Sequence, residues 1–284
     1  MSAMLEVRNA TVTFPRPAAD GGRLTAVGGA TFALQAGEIL GLVGESGCGK
    51  SSLGRAILGL VPLAAGEIRW RGRRIDTVPR EAFRPLRREL QLVFQDPAAS
   101  FDPRMTIAES VAEPLRALVP QLSAPDRAAR VEAILGEVGL AVELAARYPH
   151  QLSGGQLQRA GIARALIVDP AFLVCDEPVS ALDVSVQGQI VNLLARIRRE
   201  RGLACLFISH NLAVVAHLAE RILVMHRGRI IEDGLRDEIL QAPRHPYTRT
   251  LLDSVLAVEP VAARRLIAAR PSSRDAVAAP ELTP

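Results

Sequence analysis

The stretch ILGLVGESGCGKSS, residues 39 to 52, leaves a chain few ways to fold. Ile39 to Val43 is an unbroken apolar run that suits a buried strand, glycines follow, and SSLGRAILGL from Ser51 suits a helix. Gly44, Gly49, Lys50 and Ser51 satisfy G-x-x-x-x-G-K-[ST] between that strand and that helix. Average residue usage would produce such a pattern by chance in a chain this long on the order of one time in a hundred. The glycines let backbone N–H groups turn inward around phosphate oxygens, and the helix start adds partial positive charge. Lys50 is placed to reach the β- and γ-phosphates of a nucleotide, and the Ser51 hydroxyl to ligate Mg2+.

Composition sharpens the reading of Lys50. It is the sole lysine of 284 residues, in a chain whose 34 basic residues are otherwise all arginine. An ammonium is a compact point charge that fits inside a ring of backbone amides, whereas a planar guanidinium is bulkier and wants a forked partner. The exception therefore falls where arginine cannot substitute.

A second element, FLVCDEP at 172 to 178, ends an apolar strand in two carboxylates. Asp176 can hold Mg2+ through its water shell, and Glu177 can polarise an attacking water. A further apolar run, Ala204 to Ile208, ends at Ser209 and His210. Between such strands lie helical patterns, as in Val186 to Arg199 with Ile190, Leu193, Leu194 and Ile197. Strands alternating with helices predict a mainly parallel α/β sheet. Residues 97–168 show helical periodicity, several prolines and no strand pattern, and are expected to form an inserted helical subdomain. The ATP-binding core is then 1–96 and 169–240, with a C-terminal extension at 241–284 whose last part, 262–284, is rich in Ala, Arg, Ser and Pro and is expected to fray.

With 49% apolar residues, the chain can bury a substantial core. The net charge of +4 is dispersed, with no basic block such as a dedicated nucleic-acid binder carries. Runs such as RWRGRR at 69–74 fit solvated edges or anionic headgroups. Cys48, Cys175 and Cys205 are odd in number and widely spaced, which fits reduced thiols, not a disulfide framework. Beside a helix start, the Cys48 thiol has a route to acidification, although a tolerated variable position accounts for it more simply. His150, His217, His226 and His245 show no metal-ligand spacing. Glu6 and Arg8 interrupt the start before an apolar signal region forms, and no run of about 18 uncharged apolar residues exists, so neither a signal peptide nor a membrane span is expected.

QLSGGQLQR at 151–159 resembles the LSGGQ signature of the ATP-binding cassette (ABC) ATPases, and the rest of that family's pattern follows in order. Gln95 in VFQDP resembles the Q-loop glutamine, Ser180 to Asp183 in SALD the D-loop, and His210 in FISHN the switch histidine. Phe14 in VTFP stands where an aromatic residue stacks on adenine. The resemblance implies a RecA-like parallel core with an antiparallel β edge, ATP and Mg2+ as ligands, and a head-to-tail dimer. In such a dimer each ATP lies between the phosphate loop of one chain, here Gly44, Glu45, Ser46, Gly47, Cys48, Gly49, Lys50, Ser51 and Ser52, and the signature of the other, here Ser153, Gly154, Gly155 and Gln156, with Asp183 nearby. It assigns catalysis to Glu177, His210, Gln95 and Lys50, and the metal to Ser51, Gln95 and Asp176. Two departures stand out: Asn211 follows the switch histidine where Asp is common, which loosens the expected hold on His210, and Phe14 replaces the commoner Tyr, keeping the π face.

VFQDP, DEPVSALDVS, LFISHNLAVV and APRHPYTRTLLDSV at 242–255 resemble the ATPase subunits of peptide and nickel importers. That branch implies a second ATPase subunit, as a heterodimer or else a homodimer. It also implies two membrane-spanning permease subunits, an indirect solute-binding protein, no nucleic acid, and a peripheral place on the cytoplasmic face of the cell membrane. Di- or oligopeptide is the first expectation for the solute and nickel the second. The cysteine motif that many relatives carry after HPYT is absent, since no cysteine follows Cys205. The alternatives are a soluble cassette ATPase acting on DNA or ribosomes, disfavoured by the missing tandem cassette, coiled coil or basic extension, and a non-hydrolysing regulator, disfavoured by Glu177 and His210.

Overall fold

The computed structural model describes residues 3–16 and 22–258, so the expectation for 262–284 lies outside the described residues. Two long strands come first, β1 (Leu5–Pro15) and β2 (Arg23–Leu34). β3 (Ile39–Val43) runs through the glycine-rich loop into α1 (Lys50–Ile57). β4 (Ala65–Trp70), β5 (Arg73–Arg74), α2 (Arg84–Glu89) and β6 (Leu90–Val93) follow. Helices then take over: α3 (Pro97–Ser100), α4 (Ile107–Leu118), α5 (Ala124–Glu137) and α6 (Gly154–Leu166). Strands and helices alternate again in β7 (Phe172–Asp176), α7 (Val184–Arg201), β8 (Ala204–Ser209), α8 (Leu212–Leu218), β9 (Arg221–His226), β10 (Arg229–Leu235), α9 (Arg236–Gln241) and α10 (Pro246–Val258).

The strands form two sheets. Six of them run in the order β10-β9-β3-β8-β7-β6, parallel from β9 to β6, with β10 antiparallel at one edge. The antiparallel component is larger than an edge, because β2-β1-β4-β5 make a sheet of their own. Both faces of the six-stranded sheet are covered, which explains why β3, β7 and β8 read as continuous apolar runs. Alternate residues go to alternate faces: Leu40, Leu42, Phe172, Val174, Leu206 and Ile208 pack toward the antiparallel sheet and α1. Ile39, Val43, Leu173, Cys175, Cys205 and Phe207 join the opposite cluster. That second cluster continues without a break into Ile107, Val111, Leu115, Ile134 and Leu166 of the helical stretch. Residues 97–168 therefore carry no strand and share their core with the sheet.

Local sequence sets the boundaries. Thr106 and Glu109 form a reciprocal capping box that starts α4, and Gly202, at φ +62°, ends α7 in the left-handed conformation that an L side chain resists. The consequence for function is positional. In a parallel sheet the C-terminal strand ends open onto one rim, and here that rim collects the turns after β3, β6, β7 and β8.

Candidate functional site

The turn after β3 is shaped by its glycines. Gly44 has φ +155°, and a Cβ there would sit 2.1 Å from the Met225 carbonyl oxygen; Gly49, at φ +109°, would place one 2.1 Å from that of Ala26. No side chain fits at either position, so the loop lies tight against β9 and β2. α1 begins with no side-chain cap and no acidic residue in its first turn. Its first N–H groups thus keep no protein acceptor from a side chain, which is how a helix start receives an anion.

Lys50, only 3% exposed, bends back over the loop and donates from Nζ to the Gly44 and Glu45 carbonyl oxygens, each at 2.8 Å. Ser51 Oγ donates to Asp176 Oδ1 at 2.7 Å across from the end of β7. Burial pushes the Asp176 carboxyl above its ordinary value, against the pull of Ser51, Arg55 and Lys50. Burial likewise raises the Cys48 thiol, outweighing nearby Lys50, so the acidified thiol that a helix start could have given is not found.

Glu177 faces away from Asp176 toward other partners. Its Oε2 accepts from Gln95 Nε2 at 3.2 Å and lies 3.1 Å from His210 Nδ1, while its Oε1 is 3.9 Å from Lys50 Nζ. The backbone sits in the left-handed region to do this: Glu177 has φ +47°, a conformation that residues other than glycine adopt rarely and at a cost. Its N–H donates to the Ile208 carbonyl oxygen at 3.0 Å, and its own carbonyl oxygen accepts from Ser180 Oγ at 3.1 Å. Glu45, Ser46, Gln95, Glu177, Ser180, His210 and Leu251 line a cavity of about 720 Å³.

The donors suit a hard cation. Ser51, Asp176, Gln95 and Glu177 offer oxygen ligands only, and no group of three or more His, Cys, Asp or Glu stands ready to cage an ion among the described residues. One carboxylate and a hydroxyl are what Mg2+ uses when phosphate oxygens and water complete its shell.

Other expected residues lie apart from this cavity. Ser153, Gly154, Gly155 and Gln156 begin α6 and do not line it. There the Ser153 Oγ accepts from the Gln156 N–H at 3.3 Å, and Gln156 Oε1 accepts from the Ser153 N–H at 2.9 Å. Asp183 caps α7 by position without a side-chain hydrogen bond, and Phe14 sits half-buried on β1 opposite Leu24. Asn211 proves to be the N-cap of α8: its Oδ1 accepts from the Ala213 and Val214 N–H groups at 2.9 and 3.4 Å. Asn and Asp serve equally well as N-caps, and the ring of the adjacent His210 faces Glu177. Sequence reasoning missed Tyr247, whose hydroxyl oxygen accepts from the Glu45 N–H at 3.0 Å.

Comparison with known proteins matches two stretches of the chain to family profiles and most of its length to relatives. A family profile described as "ABC transporter" matches residues 27–180, and one described as "Oligopeptide/dipeptide transporter, C-terminal region" matches 231–281. The chain is 52% identical over 237 residues to the oligopeptide transport ATP-binding protein OppF of Salmonella typhimurium strain LT2, covering 84% of this chain and 71% of that protein. It is 50% identical over 261 residues to the glutathione import ATP-binding protein GsiA of Escherichia coli K12, covering 90% of this chain and 42% of that protein. Among solved structures it resembles the ATP-binding cassette MJ0796, dimeric and bound to ADP and Pi, with TM-score 0.74 and 27% identity over 82% of this chain and 99% of that one.

Proposed function

The chain belongs to the ABC transporter family, and from that premise we propose that it is the ATP-hydrolysing subunit of an importer, with di- or oligopeptides as the solute class. The observation that carries the catalytic half of this reading is the convergence of Lys50, Ser51, Asp176 and Glu177 on one rim of the sheet. The peptide class rests on the HPYT region, which matches the C-terminal region of oligopeptide and dipeptide transporters, and on the relatives' names.

In this reading the phosphate loop and Lys50 bind and orient the triphosphate. Two of the three Nζ donors go to the Gly44 and Glu45 carbonyl oxygens and the third to Cys48 Sγ at 3.9 Å, the longest of the three contacts and the one that a phosphate oxygen would replace. Ser51 and Asp176 would hold Mg2+, which supplies charge neutralisation at the phosphates when bound. Glu177 takes the proton of the attacking water at its carboxylate, and Gln95 and His210 hold that carboxylate in place from two sides. Residues 97–168 then act as the arm that carries the signature of Ser153 to Gln156 to the ATP of a second cassette. The chain works peripherally at the membrane through separate permease subunits; no helix among the described residues is long and apolar enough to cross a membrane.

The test is purification from membranes with co-expressed permease subunits. The wild type is expected to co-purify with two of them and to hydrolyse ATP faster when peptide and its binding protein are supplied. Glu177→Gln should co-purify and bind ATP with hydrolysis lowered on the order of 10²-fold or more. A wholly soluble, unpartnered ATPase, stimulation by nickel in place of peptide, or unchanged hydrolysis in Glu177→Gln would overturn the corresponding part.

A further inference from the structure

The HPYT segment, His245 to Thr248, does more than mark a branch of the family. Glu232 on β10 fastens it: the carboxylate accepts from the Arg244 N–H at 2.7 Å, the His245 N–H at 3.2 Å and Thr248 Oγ1 at 2.5 Å. Burial alone would raise the Glu232 carboxyl, but these donors hold it below its ordinary value. Thr248 is fully buried, so the start of α10 is fixed to the sheet. From that anchor Tyr247 lays its ring against His226 at the end of β9, with centroids 4.0 Å apart, and reaches the phosphate loop with its hydroxyl. One turn further along α10, Leu251 lines the cavity beside Glu45 and Ser46.

A single peptide unit lies between Tyr247 and Lys50. The N–H of Glu45 points to Tyr247 Oη at 3.0 Å, and the carbonyl of the same unit, that of Gly44, accepts from Lys50 Nζ at 2.8 Å. Because Gly44 has no Cβ, that peptide would otherwise be free to rotate about its flanking bonds, and the carbonyl that steadies Lys50 would turn away. Burial raises the Tyr247 hydroxyl above its ordinary value, so the group stays a neutral phenol.

We propose that Tyr247 is a positioning residue for nucleotide binding: its hydroxyl oxygen fixes the Gly44–Glu45 peptide, and through it Lys50, so that the C-terminal HPYT segment sets the affinity of the phosphate loop. This rests on the reading of that loop as the ATP site. The hydroxyl acts on the loop before any chemistry, so its removal appears in nucleotide affinity more than in turnover.

Tyr247→Phe removes only the oxygen and keeps the ring on His226. In the full-length chain, with a fluorescent ATP analogue and Mg2+, its Kd is expected to rise about 2- to 10-fold, the change that one net hydrogen bond supplies. The Kd for ADP should rise by the same factor, KM for ATP should follow, kcat should move by a smaller factor, and the thermal midpoint of the nucleotide-free protein should stay within about 2 °C of wild type. Unchanged Kd values, or a fall confined to kcat, would overturn the role of Tyr247. A wild-type chain that binds neither nucleotide would overturn the ATP-site reading itself.

Discussion

Helices α1 and α6 both begin on glycine-bearing turns, yet the two starts are built in opposite ways. The α1 start is enclosed and uncapped: Lys50 is buried, the loop backs onto Met225 and Ala26 oxygens, and no side chain takes up the first N–H groups. The α6 start is exposed and already capped, by the Ser153–Gln156 pair. An enclosed start without an acceptor is a receptor complete within one chain, whereas an exposed and satisfied one must exchange its cap for a ligand brought from outside. The proposed head-to-tail dimer would use both kinds of helix start, and the contrast predicts that damage to them has different signatures.

The largest effect is expected at the enclosed half. Lys50→Arg keeps the charge, but the guanidinium is bulkier than the space between two carbonyl oxygens at 2.8 Å allows. Hydrolysis should fall on the order of 10²-fold or more, and nucleotide affinity of the isolated chain should fall with it. Near-normal activity would mean that the lone lysine is an accident of composition.

At the exposed half, Gly154→Asp should separate binding from turnover. Gly154 is exposed at the first helical position, its φ is not left-handed, and an added Cβ meets only the Leu182 side chain at 3.3 Å. An acidic residue there complements the helix dipole by about 0.3–1 kcal/mol, so the thermal midpoint should hold or rise slightly. A carboxylate facing a second chain's phosphates should nevertheless cut hydrolysis at least about tenfold, while the single chain binds ATP as before. If its nucleotide affinity collapsed as in Lys50→Arg, the two helix starts would belong to one site and the contrast would be broken.

How far the sequence revealed these two halves follows from the reach of the contacts. β3 reads directly because one apolar run is bounded by glycine, and α7 extends only two residues beyond its periodic stretch at either end, out to Gly202. β7 begins at Phe172 with the apolar run of FLVCDEP and takes in Asp176, which pairs with Ile208 in the ladder. The antiparallel sheet was legible only through family resemblance, because register shifts between Val7 and Ala10, Ala10 and Val12, and Val12 and Thr13 break the alternation of β1 that would have announced it. The identities of Lys50, Asp176 and Glu177 follow from motif spacing, but their grouping depends on sheet order. Tyr247 joins Glu45 across 202 positions of sequence, and nothing local to HPYT signals where its hydroxyl goes.

The smallest expected effect concerns what the enclosed half costs the fold. Asp176 is 3% exposed and its carboxyl is raised above the ordinary 3.8 chiefly by burial. A group whose folded pKa is raised contributes stability below its unfolded pKa and loses it as pH rises through the folded value. At neutral pH the ionised Asp176 is therefore a burden that the nucleotide-free protein carries, and one that a bound cation of the proposed kind would relieve. Asp176→Asn keeps an oxygen for Ser51 Oγ to donate to and removes the charge. It should raise the thermal midpoint of the nucleotide-free chain by about 1–3 °C at pH 7 to 8, lose that advantage below about pH 4, and abolish Mg2+-dependent hydrolysis. The equivalent exchange at the exposed half, Asp183→Asn, removes an exposed carboxylate that has no side-chain cap bond and should leave the thermal midpoint near that of the wild type. Stabilisation confined to Asp176 would locate the charge burden at the enclosed helix start; equal shifts at both positions would mean that burial around Asp176 exacts no penalty for the site.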